Sequence, residues 1–191
     1  MRVSGWGGRG VGMRWMWIDR IVEHEANRRL VAVKNVSLAE EYLHDHFGAE
    51  EGREALPVMP APLMIEGMAQ TAGILVGTVN RFREKVILAK IKRAVFDAEV
   101  FPGQSIRYEA ELERIDESGA STTGIVRRLD PGAGEDGGAW QEIGRIDLMF
   151  SHIDQNLSGL AFPEKNFVFS ENFRTILRTA GIEGLEEMAG G

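Results

Sequence analysis

The 191-residue sequence contains no cysteine. Disulfide bonds, thiolate metal ligands and a cysteine nucleophile are therefore excluded, and a reducing compartment such as the cytoplasm is expected. A long apolar run is also missing. The most apolar stretch, residues 63–79, is shorter than the roughly 20 residues that a membrane helix needs, and it contains Glu66 and Gln70. The sequence predicts a buried helix there and no membrane partner.

Positive charge is not in excess either. Lys and Arg number 22 against 29 Asp and Glu, which gives a net charge of −7 and argues against a nucleic-acid partner. The exception is the basic segment, residues 81–93, which contains six basic residues and one acidic residue. We expect it to bind an acidic partner, although an ordinary solvated surface is the alternative. Five of the six are the expected docking residues: Arg81, Arg83, Lys90, Lys92 and Arg93. Strand alternation puts Lys90 and Lys92 on one face and Arg93 on the other, so only one of these two sets should be exposed.

The sequence predicts a flexible N-terminal arm at 1–12, one domain at 13–156 and a C-terminal extension at 157–191. The arm lacks the apolar core of a signal peptide. Segments rich in β-branched and aromatic residues predict strands at 15–23, 29–38, 86–96, 104–115, 120–129 and 139–151. The segment 39–47 is expected to form a short helix or a loop.

Two longer helices are predicted. The proline-rich run 57–62 delays the first one, which is expected to start at Pro62 and continue to Phe82. A shorter accessory helix follows a predicted N-cap at Ser170 and ends at Gly181. Since only one long helix interrupts the strands, the order indicates an α+β fold in which an antiparallel sheet wraps around a central helix.

Glu66 is a carboxylate in an otherwise apolar helix. The nearby helix N-terminus favours its anion, whereas apolar surroundings favour the neutral acid. A carboxyl between these influences can act as an acid or as a hydrogen-bond donor. The alternative is a structural pair with Gln70, one turn further on, or with an arginine on a strand.

Several motifs then occur in a specific order. They are Asp19-Arg20-Ile21-Val22, Lys34-Asn35-Val36, His46-Phe47, Pro57-Val58-Met59-Pro60, the run from Leu63 to Gln70, and Phe101-Pro102-Gly103. This order, over residues 14–152, resembles the β-hydroxyacyl-[acyl carrier protein] dehydratases of type II fatty-acid synthesis, which have the hot-dog fold. The proline motif and the helix motif after His46-Phe47 are the most specific part.

The resemblance implies the chemistry. His46 and Glu66 match a catalytic dyad to which each subunit of a homodimer, or of a multiple of it, contributes one residue. Ala61, where the family usually has glycine, matches the residue whose N–H polarises the thioester carbonyl. Val58 and Gln70 are expected to bind substrate beside it. The implied reaction converts (3R)-3-hydroxyacyl thioesters to trans-2-enoyl thioesters, without a cofactor or a metal.

The resemblance also implies the partner, which is an acyl carrier protein or a coenzyme A thioester. The basic segment, residues 81–93, is the expected docking surface for the acidic carrier. Acyl chain length, the pathway served and an isomerase side activity are left open.

Two departures from the family concern His46. The interval from His46 to Glu66 is longer than in the family, and the additional residues fall within 48–56. Gly48 also replaces the usual proline after the His-Phe pair. His44, two residues before His46, is expected to be a surface residue.

Three further function classes remain open. His44-Asp45-His46 with Glu50 or Glu51 has metal-ligand spacing, which would suit metal-dependent chemistry, but the second half of a cupin motif is missing. The hot-dog fold is also compatible with a noncatalytic acyl-binding protein and with a thioesterase.

Overall fold

A computed structural model describes residues 16–45, 48–52, 54–83, 85–132, 138–153 and 171–182. It contains six strands: β1 (Arg20–Glu25), β2 (Arg29–Asn35), β3 (Lys85–Phe96), β4 (Ser105–Asp116), β5 (Gly119–Leu129) and β6 (Gln141–Ile153). The helices are α1 (Tyr42–Asp45), α2 (Ala61–Val79) and α3 (Glu171–Thr179). The predicted arm at 1–12 and the predicted N-cap Ser170 lie outside the described residues.

The six strands form one sheet in the order β1-β2-β4-β5-β6-β3, and every neighbouring pair is antiparallel. The sheet wraps around α2, which packs against β2 to β6 and most extensively against β4. The strands alternate as expected for a sheet with one face toward a core. On β4, for example, Ile106, Tyr108 and Ala110 are fully buried. The predicted arrangement, a sheet around one long helix, is confirmed.

Helix α2 begins and ends slightly earlier than predicted. Pro60 is its N-cap, so Ala61 rather than Pro62 is the first helical residue, and the helix ends at Val79 rather than at Phe82. Arg81 and Phe82 end it because both have positive φ, which turns the chain back so that the Phe82 ring lies against Gly77. A fully buried Ile or Leu stabilises the fold by about 1.5–3 kcal/mol, and Ile74 and Leu75 in this helix are fully buried.

Two β-bulges in β3 correct the expected faces of the basic segment. The register against β6 shifts between Leu88 and Lys90 and again between Ile91 and Arg93. Lys90 pairs with Met149, and Arg93 pairs with Asp147. Directly paired residues share a face, and each bulge inserts one extra residue.

Lys90 and Arg93 therefore lie together on the outer face, and Lys92 occupies a bulge. The expectation that Arg93 points to the face opposite Lys90 was wrong. All three are exposed, so the expectation that only one set would be exposed was wrong too. The physical reason is that β3 is an edge strand of the sheet, and neither of its faces is covered there.

Helix α3 supplies the accessory helix predicted for the C-terminal extension. It packs against β1, at the sheet edge opposite β3, and buries Leu177 in the main core together with Ile182 just after the helix. Among the described residues, no helix is long and apolar enough to cross a membrane.

Candidate active site

A cavity of about 490 Å³ opens at the N-terminus of α2. One wall is the proline motif and the first turn of α2, and the other is the end of β3 with the loop that follows it. Its lining residues are Val58, Met59, Pro60, Ala61, Pro62, Met64, Phe96, Asp97, Ala98 and Glu99. Val58 and Ala61, which were predicted to bind substrate, thus line the same space.

Backbone hydrogen bonds hold the two walls in place. The N–H of Met59 donates to the carbonyl oxygen of Val100 (2.8 Å). The N–H of Asp97 donates to the carbonyl oxygen of Ile143 (2.8 Å). Met59 and Val100 are also buried. The proline motif is therefore fixed to the loop after β3, and the start of α2 is fixed with it.

Ala61 offers a hydrogen-bond donor to this cavity. The N–H groups of Leu63 and Met64 both donate to the carbonyl of Pro60. The N–H of Ala61 makes no hydrogen bond within the described part of the chain, as is usual for the first residue of a helix. Because Ala61 is exposed, this N–H can donate to a ligand carbonyl, as an oxyanion-hole donor does.

Glu66 and Gln70 form a hydrogen bond one turn apart on α2. Gln70 Nε2 donates to Glu66 Oε1 (3.1 Å), and the backbone N–H of Trp17 donates to Gln70 Oε1 (2.9 Å). Because a backbone N–H can only donate, it fixes the oxygen of Gln70 toward Trp17 and the amide nitrogen toward Glu66. The structural pair that the sequence allowed for Glu66 is therefore present. It is compatible with a site role, since it engages one oxygen of a half-buried carboxylate.

The other half of the predicted dyad lies outside the described residues. His46 and Phe47 are not described, and for His44 only the backbone is, as part of α1. The pairing of His46 with Glu66 therefore stays a prediction. Among the described residues, no group of three or more His, Cys, Asp or Glu side chains is placed to hold a metal ion.

The methionine-rich face of α2 divides between core and cavity. Met64 lines the cavity. Met68 instead packs against Gly124 of β5, and a Cβ at Gly124 would lie 2.5 Å from its Cε. Met68, Ile74 and Leu75 belong to the buried core, as Met64 also does, but of these four side chains Met64 is the one that lines this cavity.

A polar cluster that the sequence did not predict is linked to Gln70 through Tyr42 and Trp17. Lys34 forms ion pairs with Asp19 and Glu40, and the hydroxyl of Tyr42 donates to Glu40. The available signal was the position of Lys34, which continues the inward-facing series Leu30 and Ala32 on β2. A charge in such a series indicates buried partners.

Comparison with known sequences gives a consistent result. The profile of the FabA-like domain matches residues 13–129. The 3-hydroxyacyl-[acyl-carrier-protein] dehydratase FabZ of Pelotomaculum thermopropionicum is 38% identical over 102 residues, which cover 53% of this chain and 69% of that protein. FabZ of Geotalea uraniireducens is 39% identical over 100 residues, covering 51% of this chain and 65% of that protein. The chain thus spans about two thirds of the length of these relatives.

Comparison with solved structures identifies the fold. The dehydratase heterocomplex ApeI:P from Xenorhabdus doucetiae aligns with a TM-score of 0.52 and 15% identity, covering 74% of this chain and 85% of that one. A thioesterase family protein from Silicibacter pomeroyi aligns with a TM-score of 0.51 and 12% identity, covering 70% and 83%. At such low identity the likeness concerns the fold alone, and that fold is the predicted hot dog.

Proposed function

The chain belongs to the β-hydroxyacyl-[acyl carrier protein] dehydratase family defined by the FabA-like domain, and we propose that it dehydrates (3R)-3-hydroxyacyl thioesters to trans-2-enoyl thioesters. The observation that carries this proposal is the available N–H of Ala61 at a cavity on α2, the helix that also presents Glu66. This elimination requires a donor for the thioester oxygen and a carboxyl. Glu66 does not line this cavity in the single chain, so its carboxyl is proposed to come from the other protomer of a dimer.

The reaction divides between three groups. The N–H of Ala61 donates to the thioester carbonyl and so makes the α-proton more acidic. The neutral imidazole of His46 removes this proton, and the electron pair forms the α,β double bond. The carboxyl of Glu66 gives a proton to the β-hydroxyl, whose C–O bond breaks as water leaves. Proton transfer from His46 back to Glu66 then restores both groups.

Gln70 fits this scheme as a residue that orients Glu66. It donates to Oε1 of the carboxyl and is itself fixed by the Trp17 N–H. The carboxyl therefore has one oxygen held by the protein, and its other oxygen is assigned to the substrate hydroxyl. Val58 contributes an apolar wall to the cavity.

We also propose a homodimer that forms along β3. This edge strand exposes Leu88 and Ile91 on the side that faces α2, with Ile91 45% exposed. Edge strands with exposed apolar side chains tend to pair with another strand. Pairing with a second copy would cover them and bring α2 of one protomer near the cavity of the other, as a dyad shared between subunits requires.

The proposed substrate carrier is an acyl carrier protein, and coenzyme A is the alternative. Lys90 and Arg93 share the outer face of β3, which remains accessible when two such strands pair edge to edge. Arg81 and Arg83 are exposed just before this strand. The expected cytoplasmic location and the absence of a nucleic-acid partner stay predictions.

A hydration and dehydration assay tests the activity directly. Crotonyl and longer enoyl thioesters, on carrier protein and on coenzyme A, should be hydrated reversibly. We expect His46→Ala and Glu66→Gln each to remove most of the turnover from a folded protein, and His44→Ala to have a mild effect. A dead His44→Ala variant would move the catalytic role from His46 to His44.

Two further readouts separate the competing functions. Release of free thiol without enoyl turnover would identify a thioesterase, and binding without either reaction would identify a noncatalytic acyl-binding protein. A chelator should leave turnover unchanged. Loss of turnover on adding the chelator would support a metal site at His44-Asp45-His46.

A further inference from the structure

A continuous path of contacts, through side chains and the backbone N–H of Trp17, connects Lys34 on β2 with Glu66 on α2. Lys34 is only 5% exposed. Its ammonium group donates to a carboxylate oxygen of Glu40, to Asp19 Oδ1 (3.4 Å) and to the carbonyl of Asn35 (3.1 Å). An ammonium group has three donors, so all three are used and the buried charge is matched on all sides.

Glu40 connects Lys34 to Tyr42, the first residue of α1. Its second oxygen accepts the hydroxyl of Tyr42 (2.7 Å) and the backbone N–H of Ser37 (3.2 Å). Burial would raise the pKa of Glu40, but the hydrogen bonds from Lys34 and Tyr42 outweigh burial and hold that pKa below its usual range. The pKa of Tyr42 is raised by burial and by its bond to Glu40. The hydroxyl of Tyr42 therefore stays protonated and donates its hydrogen bond to the ionised carboxylate of Glu40.

Tyr42 connects this cluster to the candidate active site. Its ring meets the Trp17 ring edge-on, with centroids 5.1 Å apart. The backbone N–H of the same Trp17 donates to Gln70 Oε1, and Gln70 Nε2 donates to Glu66 Oε1. Tyr42 is also the first residue of α1, which is anchored by the buried Leu43.

We propose that Tyr42 is a positioning residue of the dehydratase site, which holds Trp17 so that Gln70 keeps the Glu66 carboxyl oriented toward the substrate. This inference rests on the proposed function, because it assigns a purpose to the orientation of Glu66. Tyr42 touches none of the reacting atoms and acts only through Trp17 and Gln70. Its own hydroxyl is held by Glu40, which Lys34 keeps ionised and in place.

Three single variants test the role. Tyr42→Phe keeps the ring and removes the hydroxyl bond to Glu40, and Tyr42→Leu removes the contact with the Trp17 ring. Glu41→Gln is the matched control, because Glu41 is the exposed neighbour outside this path. We expect Tyr42→Leu to lower kcat by about tenfold to a hundredfold, the scale of a small misplacement of a catalytic group. KM should change little, Tyr42→Phe should be intermediate, and Glu41→Gln should match the wild type.

A double variant separates positioning from a general loss of stability. If Tyr42 acts through Gln70, the double variant Tyr42→Leu/Gln70→Ala should have the same kcat as the less active of the two single variants. Multiplied losses, a change confined to KM, or an unchanged kcat in folded Tyr42→Leu would each overturn the proposal.

Hydrogen exchange distinguishes failure of this inference from failure of the proposed function. The Trp17 amide should exchange faster in Tyr42→Leu than in the wild type and in Glu41→Gln, whatever reaction the protein catalyses. Absence of enoyl turnover in the wild type would overturn the dehydratase function, and the Trp17 amide would still report on the contact. An unchanged exchange rate at Trp17 would overturn the positioning role.

Discussion

Gly67 lies directly against the phenol ring of Tyr108. A Cβ at position 67 would stand 2.5 Å from both Cζ and the hydroxyl oxygen of Tyr108, a separation that real side chains do not reach. Tyr108 is fully buried on β4, so its ring has little room to withdraw. The glycine therefore lets α2 approach β4 closely, one residue after Glu66, and it sets the depth of the helix that carries the candidate site.

Gly67→Ala should destabilise the protein by about 1–3 kcal/mol, the usual cost of overpacking a closed core. The control is Gly73→Ala on the same helix, where the nearest atom to a new Cβ is Phe150 Cε1 at 3.6 Å. This variant should be neutral or more stable, because alanine favours a helix over glycine by about 1 kcal/mol. Urea denaturation of both variants measures the difference, and equal free energies of unfolding would contradict the close contact.

Ile91→Glu should weaken the proposed dimer. It places a charge among the apolar side chains that β3 exposes toward the α2 side. We expect at least a tenfold rise in the dimer dissociation constant, about 1.4 kcal/mol, seen by sedimentation at micromolar concentration. Activity should fall with the dimer fraction. Val22→Glu is the control, since Val22 is 38% exposed on β1 at the opposite sheet edge. The same loss of dimer in both variants would move the interface away from β3.

Mixing two inactive variants should restore activity if the dyad is shared between subunits. His46→Ala chains keep Glu66, and Glu66→Gln chains keep His46. Random exchange makes half of the dimers mixed, and one of the two sites in each is intact, so recovery should reach about a quarter of wild-type turnover. Subunit exchange is verified by native mass spectrometry. No recovery after verified exchange would place both residues of a site in one chain.

The sequence was sufficient for the architecture because the signals are local. Alternating strands, the proline run before α2 and the spacing of Glu66 and Gln70 each depend on residues close together in the chain. Local signals define the ends of elements less well. Helix α2 ends before Phe82 because a left-handed turn at Arg81 and Phe82 packs that ring against Gly77.

Features that depend on a distant partner were not predictable in this way. A β-bulge exists only relative to the neighbouring strand, so simple alternation from Lys90 predicted the wrong face for Arg93. The ammonium group of Lys34 likewise finds its partners in two separate segments, at Asp19 and Glu40. The donor to Gln70 is the backbone N–H of Trp17. Because every residue except proline has this group, the residue type does not predict the hydrogen bond.

The outer face of β3 gives a sharper prediction for carrier docking than the sequence did. Lys90 and Arg93 share this face, which would stay accessible to an acidic carrier in the proposed dimer. Complementary charge acts mainly on the rate of encounter and is weakened by salt. Lys90→Glu with Arg93→Glu should therefore raise KM for carrier-protein substrates severalfold and reduce the salt dependence of kcat/KM.

Two controls decide whether this change reflects docking. Small N-acetylcysteamine or coenzyme A thioesters should be turned over as before by the double variant, because they need no protein contact on β3. Arg20→Glu removes a positive charge from an exposed position on β1, at the opposite edge of the sheet, and should leave carrier kinetics unchanged. Equal losses on carrier-bound and small substrates would mean that Lys90 and Arg93 support the structure of β3. An effect of Arg20→Glu about half as large as that of the double variant would instead indicate a response to net charge, because the single replacement changes the net charge by half as much and only a local docking surface distinguishes the two edges.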